Sequence, residues 1–183
     1  PWKVHLTQTE NRLRKALELR SMAATGITSR DRIITLGPNA SAKTTLGRLG
    51  MFFTEFVSPK LAVEDQVRRL RELKPDVLWI YPSALRTVLH HAGSLQSFIQ
   101  PRMVVYSAEL MDDSLKDRLR REGDYEIRNF YGSVECGRIA WECRAGMGLH
   151  INTDCSIVHL EDDIEVPGAG KSIVITNLNA RVS

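Results

Sequence analysis

Tyr131, Gly132, Ser133 and Glu135 fall within one short stretch, Asn129-Phe-Tyr-Gly-Ser-Val-Glu135, and their side chains could do chemistry together. The Tyr131 ring offers a face, the Ser133 hydroxyl a donor and acceptor, and the Glu135 carboxylate the hard oxygen ligands that suit Mg²⁺. Gly132 lets the backbone turn sharply or lie close to a ligand. Taken alone, the stretch reads equally as a polar corner where an apolar-aromatic strand end (Tyr125, Ile127, Phe130) meets a loop.

Two other patterns bear chemistry. Gly37-Pro-Asn-Ala-Ser-Ala-Lys-Thr-Thr45 sits between an apolar run and a helical pattern, as a phosphate-binding loop would. Its sixth position is Ala42, where the motif needs glycine so that backbone amides can wrap a phosphate. No apolar run ending in Asp follows as a second element. A P-loop-like nucleotide hydrolase built on Gly37–Thr45 and Lys43 is thus the alternative, against a polar loop entering a helix. Cys136, Cys143, His150 and Cys155 cluster in sequence and could surround a soft metal such as Zn²⁺, but they lack the close CxxC pairs of structural zinc. Reduced thiols packed in a β-rich segment are the simpler reading.

These residues act only where the chain positions them. Trp2-Lys-Val-His-Leu6 alternates as a short strand. Thr7 or Thr9 then caps a helix, Glu10 completing a capping box with Thr7, and the apolar spacing of Leu13, Ala16, Leu17, Met22 and Ala24 runs to a stop at Gly26. Arg32-Ile-Ile-Thr-Leu36 reads as a strand. Leu46, Leu49, Gly50 and Phe53 predict a short helix, and Phe56-Val-Ser-Pro59 an exposed connector. Val63, Val67, Leu70 and Leu73 form an apolar helix face, with Arg68, Arg69 and Arg71 on its solvated side. Val77-Leu-Trp-Ile-Tyr81 and Met103-Val-Val-Tyr106 are continuous apolar runs of the kind buried on both faces of a parallel sheet. Helices from Ala84 to His91 and from an Asp112 or Asp113 cap to Gly123 separate them; His90 and His91 are adjacent and cannot share a helix face. Tyr125 to Phe130 completes the alternation.

The fold expected is therefore α/β: a largely parallel sheet flanked by helices from about residue 32 to 131. A C-terminal antiparallel β segment follows, from Ile139-Ala-Trp141, Gly148-Leu-His-Ile151, Ser156-Ile-Val158 and Ser172-Ile-Val-Ile-Thr176, with a tight turn at Gly168-Ala-Gly170. Residues 1–135 form the α/β part and 136–183 the β-rich part of one domain. In such sheets ligands bind beyond the carboxyl ends of the strands. Tyr81-Pro-Ser83, Ser107-Ala108-Glu109 and Tyr131-Gly132-Ser133 follow three apolar runs and converge on one crevice if those strands are parallel neighbours.

Composition narrows the class. The 183 residues are 43% hydrophobic and 26% charged, with a net charge of +3. The basic residues are dispersed among acidic ones, which argues against nucleic acid as a partner. No apolar run has the length of a membrane span and no signal pattern opens the chain, so the expected location is cytoplasmic.

In order along the chain, Leu73-Lys-Pro-Asp-Val77, Tyr81-Pro-Ser-Ala-Leu85, Ser107-Ala-Glu109, Phe130-Tyr-Gly-Ser-Val-Glu135, Glu142-Cys143, Gly148-Leu-His-Ile-Asn-Thr-Asp154 and Val174-Ile-Thr-Asn-Leu178 resemble the adenylate-forming (acyl-CoA synthetase) superfamily, and within it the phenylacetate–CoA ligase-like, CapK-like branch. The resemblance implies an AMP-forming acid–CoA ligase: ATP and a small-molecule carboxylic acid give an acyl-adenylate, and coenzyme A then takes the acyl group. It implies that Tyr131 lies along the adenine, Ser133 bonds the α-phosphate region, and Glu135 holds Mg²⁺, making Ser133 and Glu135 the catalytic residues. Ser107, Ala108, Glu109, Tyr131 and Gly132 would bind the nucleotide, and Tyr81, Gly137, Ile139 and Ala140 would lie near the acid. A homodimer is compatible with it. The family's Ser/Thr/Gly-rich phosphate loop, ribose-binding Asp and C-terminal lid domain with its Lys have no counterpart within these residues. The expectation is an internal fragment of the large N-terminal domain, unable by itself to complete adenylation. A non-catalytic binding module on the same fold is the remaining alternative.

Overall fold

The computed structural model describes residues 6–37, 51–162 and 171–178. The strand expected before Leu6, the segment Gly37–Thr45 beyond its first residue, the positions Leu46, Leu49 and Gly50, and the turn at Gly168-Ala-Gly170 lie outside the described residues.

Helix α1 (Gln8–Thr25) begins as the sequence dictates. The Glu10 N–H donates to Thr7 Oγ1 (3.2 Å) and the Thr7 N–H to Glu10 Oε2 (2.6 Å), closing the capping box. Gly26 ends the helix at φ 100°, a left-handed conformation that favours glycine. Then follow β1 (Arg32–Leu36), β2 (Phe53–Val57), α2 (Val63–Leu73), β3 (Val77–Ile80), α3 (Pro82–Ala92), β4 (Met103–Ser107), α4 (Asp113–Glu122) and β5 (Glu126–Ser133). Pro82 opens α3 at a position where its missing N–H is harmless, and the Asp112 side chain accepts from the Leu115 N–H at the start of α4 (2.9 Å). Next come β6 (Gly137–Glu142), β7 (Leu149–Ile151), β8 (Ser156–Asp162) and β9 (Lys171–Asn177).

Seven strands form one sheet in the order β2-β1-β3-β4-β5-β6-β7. The first five in that order run parallel, and β6 and β7 add antiparallel. Strands β8 and β9 pair antiparallel as a separate sheet. The expected α/β sheet with a C-terminal antiparallel segment is the architecture observed.

Side chains of β1, β3 and β4 alternate between two cores because successive residues face opposite sides of a sheet. Ile34, Leu36, Leu78, Ile80, Val104 and Tyr106 pack with Leu70, Leu85, Val88, Leu89, Leu115 and Leu119 of α2, α3 and α4. On the other face Ile33, Val77, Met103, Val105, Phe130 and Trp141 pack with Met22 of α1 and Ile27 just beyond it. Burial on both faces explains why the runs of β3 and β4 are continuously apolar rather than alternating.

Three local expectations are corrected. Phe53 belongs to a strand, not to a short helix, and Phe56-Val57 continue that strand instead of forming an exposed connector. The segment Phe-Thr-Glu-Phe-Val is rich in aromatic and β-branched residues, and it pairs along β1 from Arg32↔Phe53 to Leu36↔Val57. Tyr131, Gly132 and Ser133 likewise extend β5 rather than starting a loop, because β6 returns beside them.

Candidate functional site

The pairing register brings the strand ends together. Leu36 lies opposite Ile80, Ile80 opposite Tyr106, and Ser107 opposite Phe130. The residues that follow, Gly37, Tyr81, Ala108 and Tyr131, therefore start from one line along the carboxyl edge of the parallel strands. The three polar segments singled out from sequence are neighbours, as the crevice requires.

Each has a local structural anchor. Trp79 donates from Nε1 to Ser107 Oγ (3.0 Å), so the Ser107 hydroxyl is held by the adjacent strand. Ala108 follows at φ 66°, a left-handed conformation that costs an alanine about 1–2 kcal/mol. That bend leaves Ala108 and Glu109 exposed. Glu109 then reaches across to the start of α3, where Oε2 accepts from the Ser83 N–H (2.8 Å) and Oε1 from the Ser83 hydroxyl (2.7 Å). A carboxylate at a helix N-terminus satisfies unpaired amides and opposes the helix dipole. Glu109 thus ties the β4 end to the β3 end. Tyr81 is half-buried at the N-cap of α3 and makes no side-chain capping bond.

The hairpin β5–β6 carries the remaining residues. Its register shifts between Tyr131 and Gly132, and Gly132 lies opposite Arg138. A Cβ at Gly132 would fall under 3.0 Å from the Gly137 carbonyl oxygen, so glycine is required there by the closeness of the two strands. Gly137 opens β6 at φ 70°. Between them, the Ser133 hydroxyl accepts from the Cys136 N–H (3.0 Å) and closes the turn. Glu135 projects from this turn, exposed. Its own N–H, the Ser133 hydroxyl and the nearby Arg14 guanidinium hold its carboxyl below the usual range, with slight burial acting the other way. An exposed, ionised carboxylate without an ion-pair partner among the described residues fits one of the one or two protein ligands that Mg²⁺ ordinarily takes beside phosphate oxygens and waters.

Arg14 was not foreseen. From α1 its Nη1 donates to the Val134 carbonyl (2.8 Å) and its Nη2 to the Glu135 carbonyl. Asn177 of β9 donates to that same Glu135 carbonyl (3.3 Å). The turn bearing Glu135 is thus clamped from two distant parts of the chain. A basic residue at the solvent side of an amphipathic helix gives no sequence signal for such a role.

Of the other expected residues, Ala140 lies opposite Tyr131 in the hairpin. Ile139 and Ala140 are buried, 1% and 3% exposed, and face the packed interior instead of an open surface. Of the four soft-metal candidates, Cys143 Sγ and His150 Nε2 lie 2.9 Å apart, Cys136 is half-buried and Cys155 buried. They make one pair, and among the described residues no three His, Cys, Asp or Glu side chains come together as a metal site. Among those residues no helix is long and apolar enough to cross a membrane.

Protein-family models and curated proteins give no match to the sequence. Solved structures do. An open conformation of 2-hydroxyisobutyryl-CoA ligase, in complex with 2-HIB-AMP and CoA, superposes with a TM-score of 0.70 at 14% identity, covering 94% of this chain and 42% of that one. A benzoate CoA ligase from Burkholderia xenovorans LB400 gives 0.67 at 16% identity, covering 94% and 39%. A long-chain-fatty-acid–CoA ligase from Archaeoglobus fulgidus gives 0.60 at 14% identity, covering 90% and 37%. The chain spans about two fifths of the length of these structures. What this likeness establishes is the fold: the α/β sheet and its antiparallel extension are those of a segment of the acid–CoA ligases.

Proposed function

We propose that the chain is the adenylate-holding part of an AMP-forming acid–CoA ligase of the phenylacetate–CoA ligase-like type. One observation carries the reading. The ends of β3, β4 and β5, with their Tyr81, Ser107–Glu109 and Tyr131–Glu135 segments, are side by side on a fold shared with acid–CoA ligases. A related structure holds an acyl-adenylate, anthranoyl-AMP, in an anthranilate CoA ligase.

In this reading the exposed Tyr131 ring lies along the adenine and the bent Ala108–Glu109 backbone forms its shelf. Ser133 donates to the α-phosphate region, and Glu135 holds Mg²⁺, which would neutralise charge on the transferring phosphate. Displacement at phosphorus needs no side-chain nucleophile, so the work of these residues is positioning and charge stabilisation. The Arg14 clamp serves that end by holding the Glu135 turn at a defined place beside the strand ends. The acid's carboxylate would approach from the Tyr81 and Gly137 side.

The test is acid-dependent exchange of pyrophosphate into ATP by the intact protein, over a panel of carboxylic acids headed by phenylacetate. Exchange that needs Mg²⁺ and is lost in Glu135→Gln supports the reading. ATP binding without exchange for any acid would point to a non-catalytic module on this fold.

A further inference from the structure

Among the described residues, the Arg138 side chain on β6 has no hydrogen-bond or ion-pair partner. Its guanidinium lies over two rings, 4.1 Å from the Phe130 centroid and 5.0 Å from that of Trp79. The Nε is buried and lacks any hydrogen-bond partner. Its terminal nitrogens also make no hydrogen bond or ion pair with a described residue. Other arginines here behave differently: Arg14, Arg20, Arg102, Arg118 and Arg128 each donate to carbonyl or carboxylate oxygens. Burial pushes the Arg138 guanidinium down to about 10, and the Glu18 carboxylate on α1 acts against that shift without forming an ion pair. The group stays charged at neutral pH.

Arg138 is half-buried, and its enclosed Nε–H without an acceptor is costly. Stacking on Phe130 and Trp79 offsets part of that cost through the ring faces. It leaves the N–H edge unused, and that planar edge matches a carboxylate. The position is specific. Phe130 pairs with Ser107, the last residue of β4, and Trp79 bonds the Ser107 hydroxyl. The guanidinium therefore lies at the carboxyl edge of the sheet, next to the proposed acid site. The rings beside it suit the carbon skeleton of an organic acid, whereas Glu135, at the tip of the hairpin, is where phosphate would be met.

We infer that Arg138 binds a second carboxylate of the acid substrate, remote from the carboxylate that is activated, so that this protein takes dicarboxylic acids in preference to monocarboxylic ones. The inference rests on the ligase reading for the identity of the site. It is tested on the intact protein with two matched pairs, adipate against hexanoate and 1,4-phenylenediacetate against phenylacetate, by titration calorimetry. The diacid of at least one pair should bind about tenfold or more tightly than its monoacid, as expected for one charge-assisted bidentate contact. Arg138→Met should abolish that gap while leaving monoacid binding within about twofold, and Arg138→Lys, which keeps charge but not the planar fork, should retain part of it. Equal binding of both members, no diacid binding, or a melting temperature lowered in Arg138→Met with the preference intact would each overturn the inference and leave Arg138 a packing residue. Pyrophosphate exchange on the same samples reads the ligase activity separately. An Arg138-dependent diacid preference without exchange would retain the carboxylate site and refute the ligase.

Discussion

Replacing Gly132 by alanine tests whether the hairpin geometry is what holds Ser133 and Glu135 in place. A Cβ at this position would lie under 3.0 Å from the Gly137 carbonyl oxygen, 3.3 Å from the Gly137 carbonyl carbon and 3.6 Å from Arg138 Cα. All three are backbone atoms, so no side chain can swing aside; the strands must part. Gly132 is not among the glycines with positive φ, so the cost comes from crowding and not from backbone conformation. Overpacking of this kind costs about 1–3 kcal/mol. In a domain of this size that lowers the melting temperature by roughly 2–4 °C for each kcal/mol. Gly37→Ala is the matched control, since among the described residues its Cβ would meet nothing nearer than Thr35 Cγ2 at 3.6 Å, and it should leave stability within about 0.5 kcal/mol. Thermal and urea unfolding of the two variants would measure the difference. Equal stability of Gly132→Ala and the parent would refute the claim that the two strands leave no room, and with it the account of why glycine stands here.

Two further outcomes follow from the contacts around the strand ends. Glu109→Ala should lose the Ser83 interactions that start α3 and destabilise the protein by about 1 kcal/mol, within the 0.5–2 kcal/mol typical of lost caps, as read by urea unfolding. At Asp31 burial pushes the carboxyl up, but the Arg102 guanidinium and the Thr28 N–H outweigh it and hold the carboxyl below its ordinary 3.8. A depressed folded-state value means stability that is fully present above the unfolded value, near 4, and is lost as pH falls through the folded one. Unfolding of the parent should therefore become easier below about pH 4, and Asp31→Asn should flatten that part of the profile while costing stability at pH 7. An unchanged acid limb in Asp31→Asn would show that this pair does not set it.

What the sequence disclosed depended on how local the determining interaction was. The capping box links Thr7 and Glu10, three positions apart, and was readable directly. The apolar runs of β3 and β4 were readable because burial on both faces leaves no polar alternation to confuse them. Strand β2 was not, since only its partner β1 makes Phe53–Val57 a strand; four of its five residues stay exposed or half-buried at the sheet edge. The site shows the same division. Tyr131, Ser133 and Glu135 stood out by type, yet the hairpin that displays them is set by pairing with Gly137–Glu142. Glu109 reaches Ser83 across 26 positions and Arg14 reaches Val134 across 120, and neither partner is marked by any nearby pattern. Gly132 was expected to let the backbone turn sharply or lie close to a ligand, and the crowding that the neighbouring strand imposes on any side chain there is marked by no local pattern.

The proposed function makes the hairpin Tyr131–Glu135, set beside the ends of β3 and β4, the phosphate side of an adenylate site. Its most direct measurement is phenylacetate-dependent ATP–pyrophosphate exchange by the intact protein and by its Glu135→Gln variant, across a Mg²⁺ titration. Loss of a charge-stabilising carboxylate should lower kcat about a hundredfold or more and weaken the Mg²⁺ dependence, with the fold intact by circular dichroism. Exchange in Glu135→Gln at the parent's rate and Mg²⁺ dependence would refute that role for Glu135.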